Sequence, residues 1–477
     1  MSPPSPLPAL PDALLEGAMA AAIEAAKVRH ALSDGEARWS PGQPLKLLLA
    51  GYQGVRNTGA DVRVAEIVRQ LRAIVGDERL ELTVLTADPR LSAGYFPGAR
   101  QVRFPDLFPP FLFREVAAHH GVVACEGSMF KSKFANALSV FLAGALGLAA
   151  AGNKLALGYG AEAGEMDPLL QGLVSRWCKD ALVIVRNEAS GELLRQLGVP
   201  TAPGTDTAWT FEPAPAEAAR ALLRRAGWDG RAPILAVCPI NPFWWPVRPR
   251  LGRALLDALR GESDARRYRG VYYHDYPEAA EQKHARYLDA LAAACGRFAE
   301  ERGAHLVLVG MERLDRRAAD ELAARLGRPV PRFISDEYDM FELVAILREA
   351  RWLVSSRYHA LVCSAAAGVP ALGVSMDERI ENLLVGRGQA ALCHPVEAVD
   401  LEERIAEGLR RLELEREEVA AGTLGAIPRE LEALGRMGIR FEEELLRRYP
   451  DFPRRDAPRE WRRYLPALSP RLEALLG

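Results

Sequence analysis

Short apolar runs alternate with segments of helical periodicity over most of the chain. From residue 45 the apolar runs are LKLLLA, ELTVLT, GVVAC, KLALGY and ALVIV, and a second series runs PILAVCP, HLVLVG, WLVSS and PALGVS. Continuous apolar runs of this length are typical of strands buried on both faces. Their alternation with helices predicts an α/β fold with doubly wound parallel sheets.

The ends of the chain depart from this pattern and divide it into four parts. A Pro-rich start leads into an Ala-rich helical segment, a Pro- and Ala-rich stretch at 212–217 separates the two series, and a charged helical pattern follows Pro395. We predict that the C-terminal helices can cross back onto the first domain. The predicted parts are a helical N-terminal arm (1–44), an N-terminal Rossmann-like domain (45–225), a C-terminal Rossmann-like domain (226–396) and a helical C-terminal tail (397–477).

Composition narrows the class of protein. The 477 residues are 49% hydrophobic and 26% charged, which is the usage of an ordinary folded protein. A formal net charge of -2 gives no global attraction to polyanions, so no nucleic acid partner is expected. The six cysteines form no C-x-x-C pair, which favours free thiols in the cytoplasm. The most apolar run, 137–152, is shorter than the roughly 20 residues that span a bilayer, and predicts a buried helix rather than a transmembrane segment.

A glycine-rich turn follows the first strand. Gly51, Gly54 and Gly59 lie between an apolar run and the next helix. Glycines at such a junction let backbone amides approach a ligand and leave the helix N-terminus free for an anion. The spacing is neither G-x-G-x-x-G nor a P-loop, so a dinucleotide is not favoured. A tight turn without a ligand is the alternative.

A second polar segment stands at the end of a later strand. Ser355 and Ser356 end the strand, and Arg357, Tyr358 and His359 open the following helix. Hydroxyls, a guanidinium and an imidazole at a helix N-terminus are suited to an anion. Because open parallel sheets bind ligands at the carboxyl ends of their strands, we expect a ligand between this segment and the glycine-rich turn. The alternative is that these side chains only cap and pair locally.

Together these segments resemble the polysaccharide pyruvyl transferases over about residues 45 to 385. The family's G-x-x-G-x-x-N-x-G turn is matched in spacing, and so is its Arg-x-His motif before a small-residue helix and Gly-Val-Pro. CEGSMF and VIVRNEAS resemble two further family segments. The matching residues are Gly51, Gly54, Asn57, Gly59, Arg186, Glu188, Ser190, Arg357, Tyr358, His359, Gly368, Val369 and Pro370.

The resemblance implies transfer of the enolpyruvyl group of phosphoenolpyruvate onto two sugar hydroxyls, giving a pyruvate ketal and phosphate. It implies no cofactor and no metal, and a sugar or lipid-linked glycan as acceptor, which would bring a cytoplasmic protein to the inner face of the membrane. Arg357 would bind the donor anion, and His359 would be proton donor or phosphate ligand. Asp61 is a candidate base, beside Glu126 and Glu162. The implied substrate-binding residues are Gly51, Gly54, Asn57, Thr58, Gly59, Glu126, Ser128, Arg186, Arg248, Ser355, Ser356 and Tyr358.

The sequence departs from the family pattern at three places. Ala60 stands where an acidic residue usually follows the glycine, with Asp61 one place later. The expected glycine run reads Cys-Glu-Gly at 125–127. A basic residue expected on the first strand of the second domain is absent at 239–241, and Arg248 and Arg250 are the candidate substitutes.

Two other functions fit the same pattern. The two-domain cleft is also that of GT-B-type glycosyltransferases, which use a nucleotide-sugar donor, so the predicted fold is GT-B-like. A diverged, non-catalytic glycan-binding member is the third reading, favoured by the departures at 60 and 239–241. Two aromatic clusters, at 243–245 and 272–276, are either sugar platforms or core packing.

Overall fold

The computed structural model describes residues 10–32, 37–132, 136–245, 247–250, 253, 256–257, 267–269, 272–274, 276–454 and 458–477. Its first domain contains a seven-stranded sheet in the order β3-β2-β1-β4-β5-β6-β7, and all neighbouring strands run parallel. The strands are β1 (Leu45–Gln53), β2 (Leu80–Thr86), β3 (Arg100–Arg103), β4 (Gly121–Ala124), β5 (Leu155–Ala161), β6 (Leu182–Val185) and β7 (Thr201–Pro203).

The second domain repeats the architecture with a six-stranded parallel sheet in the order β13-β12-β8-β14-β15-β16. A small antiparallel sheet of order β10-β11-β9 is inserted after its first strand. The strands are β8 (Ile234–Cys238), β9 (Val247–Pro249), β10 (Arg267–Arg269), β11 (Tyr272–His274), β12 (His305–Gly310), β13 (Arg332–Ile334), β14 (Trp352–Ser355), β15 (Ala371–Ser375) and β16 (Cys393–Pro395).

Helices cover both large sheets and form the two ends of the chain. Helix α4 has an almost entirely buried surface, which is why its sequence is apolar all round. No described helix is long and apolar enough to cross a membrane. The helices are α1 (Leu10–Leu32), α2 (Thr58–Val75), α3 (Pro109–Ala117), α4 (Asn136–Ala151), α5 (Pro168–Trp177), α6 (Glu188–Gln196), α7 (Ala216–Arg225), α8 (Glu278–Glu301), α9 (Asp315–Leu326), α10 (Met340–Arg348), α11 (Tyr358–Ala365), α12 (Glu378–Gly386), α13 (Leu401–Leu414), α14 (Arg416–Arg448) and α15 (Pro470–Leu476).

The strand order reverses between β1 and β4 in the first sheet and between β8 and β14 in the second. Crevices at such reversal points, outside the carboxyl ends of the strands, are where doubly wound sheets bind ligands. The predicted fold of two doubly wound, Rossmann-like domains is therefore confirmed. The glycine-rich turn leaves β1 and the Arg-x-His segment leaves β14, so each lies at the reversal point of its own sheet.

The tail returns to the first domain, as the sequence predicts. Gln70 of α2 donates to the carbonyl oxygens of Leu434 in α14 (2.8 Å) and Tyr464 (2.9 Å), and it accepts a hydrogen bond from Tyr159 of β5 at 2.8 Å. Helix α7, which we expect at the end of the first domain, instead contributes its buried side chains to the core of the second. The residue limits of the domains otherwise stay predictions.

All six cysteines are free. Burial raises the pKa of Cys178, Cys238, Cys295 and Cys363 to about 12. A thiol with so high a pKa carries almost no thiolate at neutral pH and is a poor nucleophile. The five buried cysteines, all but Cys393, therefore act as small apolar core residues.

Candidate active site

The two domains meet through the turn that follows β1. The backbone N–H of Thr58 donates to the carbonyl oxygen of Met311 at 2.8 Å, and the Ser335 hydroxyl donates to the carbonyl oxygen of Arg56 at 2.7 Å. Arg56 has a φ of 60°, a left-handed conformation that is rare for a residue with a side chain. The turn of the first domain is thus fixed against the loops that follow β12 and β13 of the second domain.

Two glycines of this turn are required by their surroundings. Gly54 has a φ of 72°, and a Cβ there would lie 1.9 Å from the hydroxyl oxygen of Thr86. A Cβ on Gly59 would lie 2.1 Å from Nδ1 of His359. The imidazole supplied by the second domain therefore packs directly on the first turn of α2, and the two segments singled out in the sequence are brought together.

His359 contacts a buried charged cluster formed by Asp206, Arg63 and Arg186. Its Nε2 is 3.4 Å from Asp206 Oδ2, and the same carboxyl oxygen is 3.2 Å from Nε of Arg63 and 2.9 Å from Nη1 of Arg186. Burial raises the pKa of Asp206, but the charges of Arg63 and Arg186 outweigh burial and hold the pKa far below its usual value. Burial lowers the pKa of His359, against the opposing effect of Asp206. At neutral pH the resting site thus pairs a neutral imidazole with a fixed carboxylate.

A second carboxylate completes the cluster. Glu162, at the end of β5, accepts hydrogen bonds from Lys131 at 2.9 Å and from Nε of Arg186 at 2.5 Å. Burial alone would raise its pKa, but Arg186 and Lys131 lower it. The guanidinium of Arg186 also lies 4.6 Å over the ring of Tyr358. A carboxylate held by two cations is a weak proton acceptor, so Glu162 is better suited to positioning Arg186 than to acting as a base.

Arg357 is already paired in this structure. Its Nε donates to Asp315 at 2.9 Å, its Nη2 contacts the other oxygen of the same carboxylate, and Nη2 lies 2.9 Å from Glu312. Ser355 fixes the local backbone, because its hydroxyl accepts from the Arg357 N–H and donates to the Arg357 carbonyl oxygen, both at 2.9 Å. Burial raises the pKa of Asp315 to about 6 in spite of the arginine. An anion on Arg357 would therefore compete with a carboxylate that readily takes a proton.

Asp61 holds its proton at neutral pH. The side chain is buried, and its contact with the Gly54 N–H is long at 3.4 Å. Burial raises its pKa to about 8; the Gly54 bond and Arg56 lower it less than burial raises it, and Glu312 and Glu126 raise it further. A carboxylic acid that is neutral at pH 7 can donate a hydrogen bond but cannot accept a proton. This is a physical reason against the role of base given to Asp61 in the sequence analysis.

One further arginine spans the cleft. Arg379, in the first turn of α12, has Nη1 3.4 Å from the hydroxyl of Ser128 in the first domain, and its other nitrogens donate to Asp377 at 2.7 to 3.0 Å. Ser128 also donates its backbone N–H to Glu126 at 3.2 Å. A cation from the second domain thus lies beside the CEGS turn of the first domain.

The remaining predicted site residues lie in different places. Asn57 caps α2 by accepting from the Ala60 N–H at 3.1 Å, and Ser356 shares a 2.8 Å hydrogen bond with Tyr287 behind β14. Arg248 lies on β9 of the small antiparallel sheet, not at the carboxyl end of a parallel strand. Gly51 packs against the side chain of Gln53, since a Cβ on Gly51 would lie 2.4 Å from Nε2 of Gln53.

Sequence reasoning missed much of the charged cluster. Arg63 lies in the polar pattern of a helix and gives no sign in the sequence that it is only 1% exposed. Asp206 follows β7, a strand of three residues without an apolar run to predict it. Arg63 stands four residues after Gly59, on the same face of α2, which is a signal that could have been used. The other missed residues are Lys131, Glu312, Asp315 and Arg379. Within the described residues, no group of three His, Cys, Asp or Glu side chains is arranged to hold a metal ion.

Comparison with known proteins gives the family. Two solved structures share the fold: UDP-GlcNAc 2-epimerase from Neisseria meningitidis bound to UDP-GlcNAc (10% identity, TM-score 0.50, covering 84% of this chain and 100% of that one) and HepE of Anabaena in complex with UDP-glucose (12%, 0.50, 84% and 99%). At such identities the likeness shows the GT-B-like fold alone. The search of curated proteins finds no match. The family profile "Polysaccharide pyruvyl transferase" matches residues 58–378, so the chain is a transferase that belongs to the polysaccharide pyruvyl transferase family.

Proposed function

We propose that this transferase moves the enolpyruvyl group of phosphoenolpyruvate onto two hydroxyls of a sugar in a glycan or glycan precursor. The position of His359 carries the proposal, because an imidazole from one domain packs on Gly59 of the other, backed by a carboxylate. The reaction needs a proton donor beside the methylene carbon of phosphoenolpyruvate, where donor and acceptor meet, and an imidazole between the two domains is suited to that task. No metal or cofactor enters the proposal.

The proton balance assigns one group to both transfers. His359, protonated, gives its proton to the methylene carbon of the donor, and an acceptor oxygen bonds to the neighbouring carbon. The imidazole then takes the proton of that hydroxyl. The bond from carbon to the phosphate oxygen breaks, the second hydroxyl closes the ketal, and its proton leaves on phosphate. Two hydroxyl protons thus end on the methyl group and on phosphate, and no separate base is needed.

Donor binding supplies the charge that His359 needs. The imidazole is neutral in the resting site because burial lowers its pKa. A donor with a phosphate and a carboxylate brings negative charge beside it, which favours the imidazolium. Asp206 then stabilises the charged ring from behind, at 3.4 Å. The same carboxylate fixes the ring orientation, so Asp206 acts as a positioning residue.

Arginines at the cleft are the proposed ligands of the donor anion. Arg357 can present a planar fork to phosphate or carboxylate once Asp315 is protonated, and Arg379 lies beside Ser128 on the other side of the cleft. Asp61, neutral at pH 7, can donate a hydrogen bond to an anionic oxygen without repelling it. On this assignment Arg379 takes the place of the basic residue missing from β8.

Thermal unfolding tests the donor. A ligand that binds only the folded state at about 100 times its dissociation constant contributes roughly 2.7 kcal/mol, so phosphoenolpyruvate should raise the melting temperature. Arg357→Lys should lose this shift, because lysine keeps the charge but not the fork. Arg325→Lys is the matched control, since Arg325 is similarly exposed and donates to Asp289 at 2.7 Å. A shift with UDP-glucose and none with phosphoenolpyruvate would instead identify a nucleotide-sugar transferase.

A further inference from the structure

A second concave site lies at the carboxyl edge of the second sheet, on the segment that leads to Arg379. It is a cavity of about 550 Å³, a size typical of small-molecule sites. Met376 in its wall is three residues before Arg379, which reaches Ser128 across the cleft. The cavity is formed by segments that follow β8, β15 and β16 and by the start of α8, and its lining includes Phe243, Trp245, Lys283, Ser375, Met376 and Val396.

Two aromatic rings of this cavity are held in place and half-buried. Phe243 packs against the core of the second domain. The Trp245 ring meets His274 edge-on, with centroids 5.5 Å apart, and His274 is itself fixed by a 3.0 Å hydrogen bond between its Nδ1 and the Trp244 carbonyl oxygen. We call Phe243 and Trp245 the aromatic platform. Rigid aromatic side chains give up little conformational entropy on binding a ring.

The other aromatic residues of the two clusters are packing residues. Trp244 is buried beside His274, with ring centroids 4.6 Å apart. Tyr273 and Tyr276 are buried as well, and the half-buried Tyr272 donates a hydrogen bond from its hydroxyl to Asp12 of α1 at 2.8 Å. Of the two roles that the sequence leaves open, sugar platform or core packing, these residues therefore have the packing role. Only the platform residues of the 243–245 cluster both line the cavity and keep part of their surface exposed.

The charge at the rim favours a neutral ligand. Lys283 lies 5.9 Å over the Phe243 ring and is paired with Glu397 at 2.7 Å. A nucleoside diphosphate needs cations whose charge is not already compensated. A sugar ring needs an apolar surface for its C–H face and polar groups for its hydroxyls. The platform together with the Lys283–Glu397 pair supplies the second set.

We propose that this cavity binds a neutral sugar unit of the acceptor glycan, stacked on the aromatic platform and adjoining the sugar that receives the pyruvyl group. The inference rests on the proposed function, because it names the acceptor subsite of the same reaction. Because Met376 in the cavity wall is three residues before Arg379, which reaches Ser128 across the cleft, a glycan chain bound in the cavity can extend along this segment towards the cleft.

Saturation-transfer NMR tests the subsite on the full chain. The probes are the methyl β-glycosides of galactose, glucose and N-acetylglucosamine, together with lactose. We expect at least one sugar to receive saturation, and Trp245→Ala to weaken its binding about tenfold, the usual loss for truncating a central aromatic contact. Trp245→Phe should keep most of the binding. Trp228→Ala is the matched control, because Trp228 is also half-buried but lies before β8, outside the cavity.

Two results would overturn the inference: no saturation of any probe, or saturation that Trp245→Ala leaves unchanged. Displacement of a bound sugar by UDP would show that the cavity is a nucleotide site. Failure of the proposed function is read separately, from the melting-temperature shift with phosphoenolpyruvate. A protein that binds phosphoenolpyruvate but no sugar through Trp245 refutes only the subsite, and one that binds sugars but not phosphoenolpyruvate refutes only the donor.

Discussion

Replacing Asp61 by asparagine should make the protein more stable. Asparagine has nearly the shape of the protonated aspartic acid and never ionises. In the folded protein the pKa of Asp61 is raised from 3.8 to about 8, with burial as the main cause. Between these two values the unfolded chain has lost the proton and the folded chain keeps it. The wild-type protein therefore loses stability as the pH rises from about 4 to 8, and the variant lacks this loss.

The magnitude follows from the two pKa values. Each unit of difference corresponds to 1.36 kcal/mol, so the wild type loses about 1.4 kcal/mol per pH unit from this group. At pH 7 the pH lies about three units above the ordinary pKa of 3.8, so the wild type has lost roughly 4 kcal/mol of stability through Asp61, as an upper value. The advantage of the variant should grow from pH 5 to pH 7 and become constant above pH 8.

Chemical unfolding of both proteins at pH 5, 6, 7 and 8 measures this difference. Asp88→Asn is the control, because Asp88 is only partly buried and hydrogen bonds from Arg90 hold its pKa at about 2, so its replacement should not stabilise the protein. The activity readout is the KM for phosphoenolpyruvate, which should rise above pH 8 in the wild type as Asp61 ionises, and stay level in the asparagine variant. A variant that is less stable at every pH, or an advantage independent of pH, would refute a buried neutral Asp61. A loss of turnover of 100-fold or more would restore Asp61 to acid–base catalysis.

Three further outcomes follow from the site. His359→Ala should lower turnover by about 100- to 10,000-fold while leaving the melting temperature close to that of the wild type. A lower melting temperature together with unchanged specific activity would instead show that His359 is a packing residue. Gly59→Ala should abolish turnover because its methyl group would displace the imidazole, whereas Gly172→Ala, in a helix with open space around it, should be neutral or slightly stabilising. Phosphoenolpyruvate binding should take up protons onto Asp315, whose pKa is about 6, and onto His359, whose pKa is lowered by burial, so affinity should fall as the pH rises from 6 to 8. Calorimetry in buffers of different ionisation enthalpy measures this uptake, and finding none would contradict the prediction.

The sequence predicts the central strands but not the edges of the sheets. The nine apolar runs correspond to strands that have a partner strand on both sides, namely β1, β2, β4, β5, β6, β8, β12, β14 and β15. The strands missed at the edges are β3, β7, β13 and β16, which have three or four residues each. A short edge strand needs no continuous apolar run, because one side of it faces no partner strand. Its sequence therefore resembles a loop.

The site shows the same division. Topology predicts that the turn after β1 and the segment after β14 face one another, because both lie at the carboxyl edge of a doubly wound sheet. Topology does not predict which charges are buried behind them. Arg63 and Asp206 each look like ordinary polar residues in the sequence, and only their convergence on His359 from different elements gives them a role. Burial also changes the chemistry of Asp61, which no sequence pattern reports.

The central claim is that phosphoenolpyruvate gives its enolpyruvyl carbons to a sugar through protonation of its methylene carbon. Incubation of the protein with phosphoenolpyruvate and the sugar panel in D₂O, followed by NMR of the products, tests this directly. We predict inorganic phosphate in equal amount to a ketal whose methyl group carries one deuterium, and neither product with His359→Ala. A ketal methyl group without deuterium, equal product from His359→Ala, or transfer of glucose from UDP-glucose in place of the pyruvyl group would contradict the account.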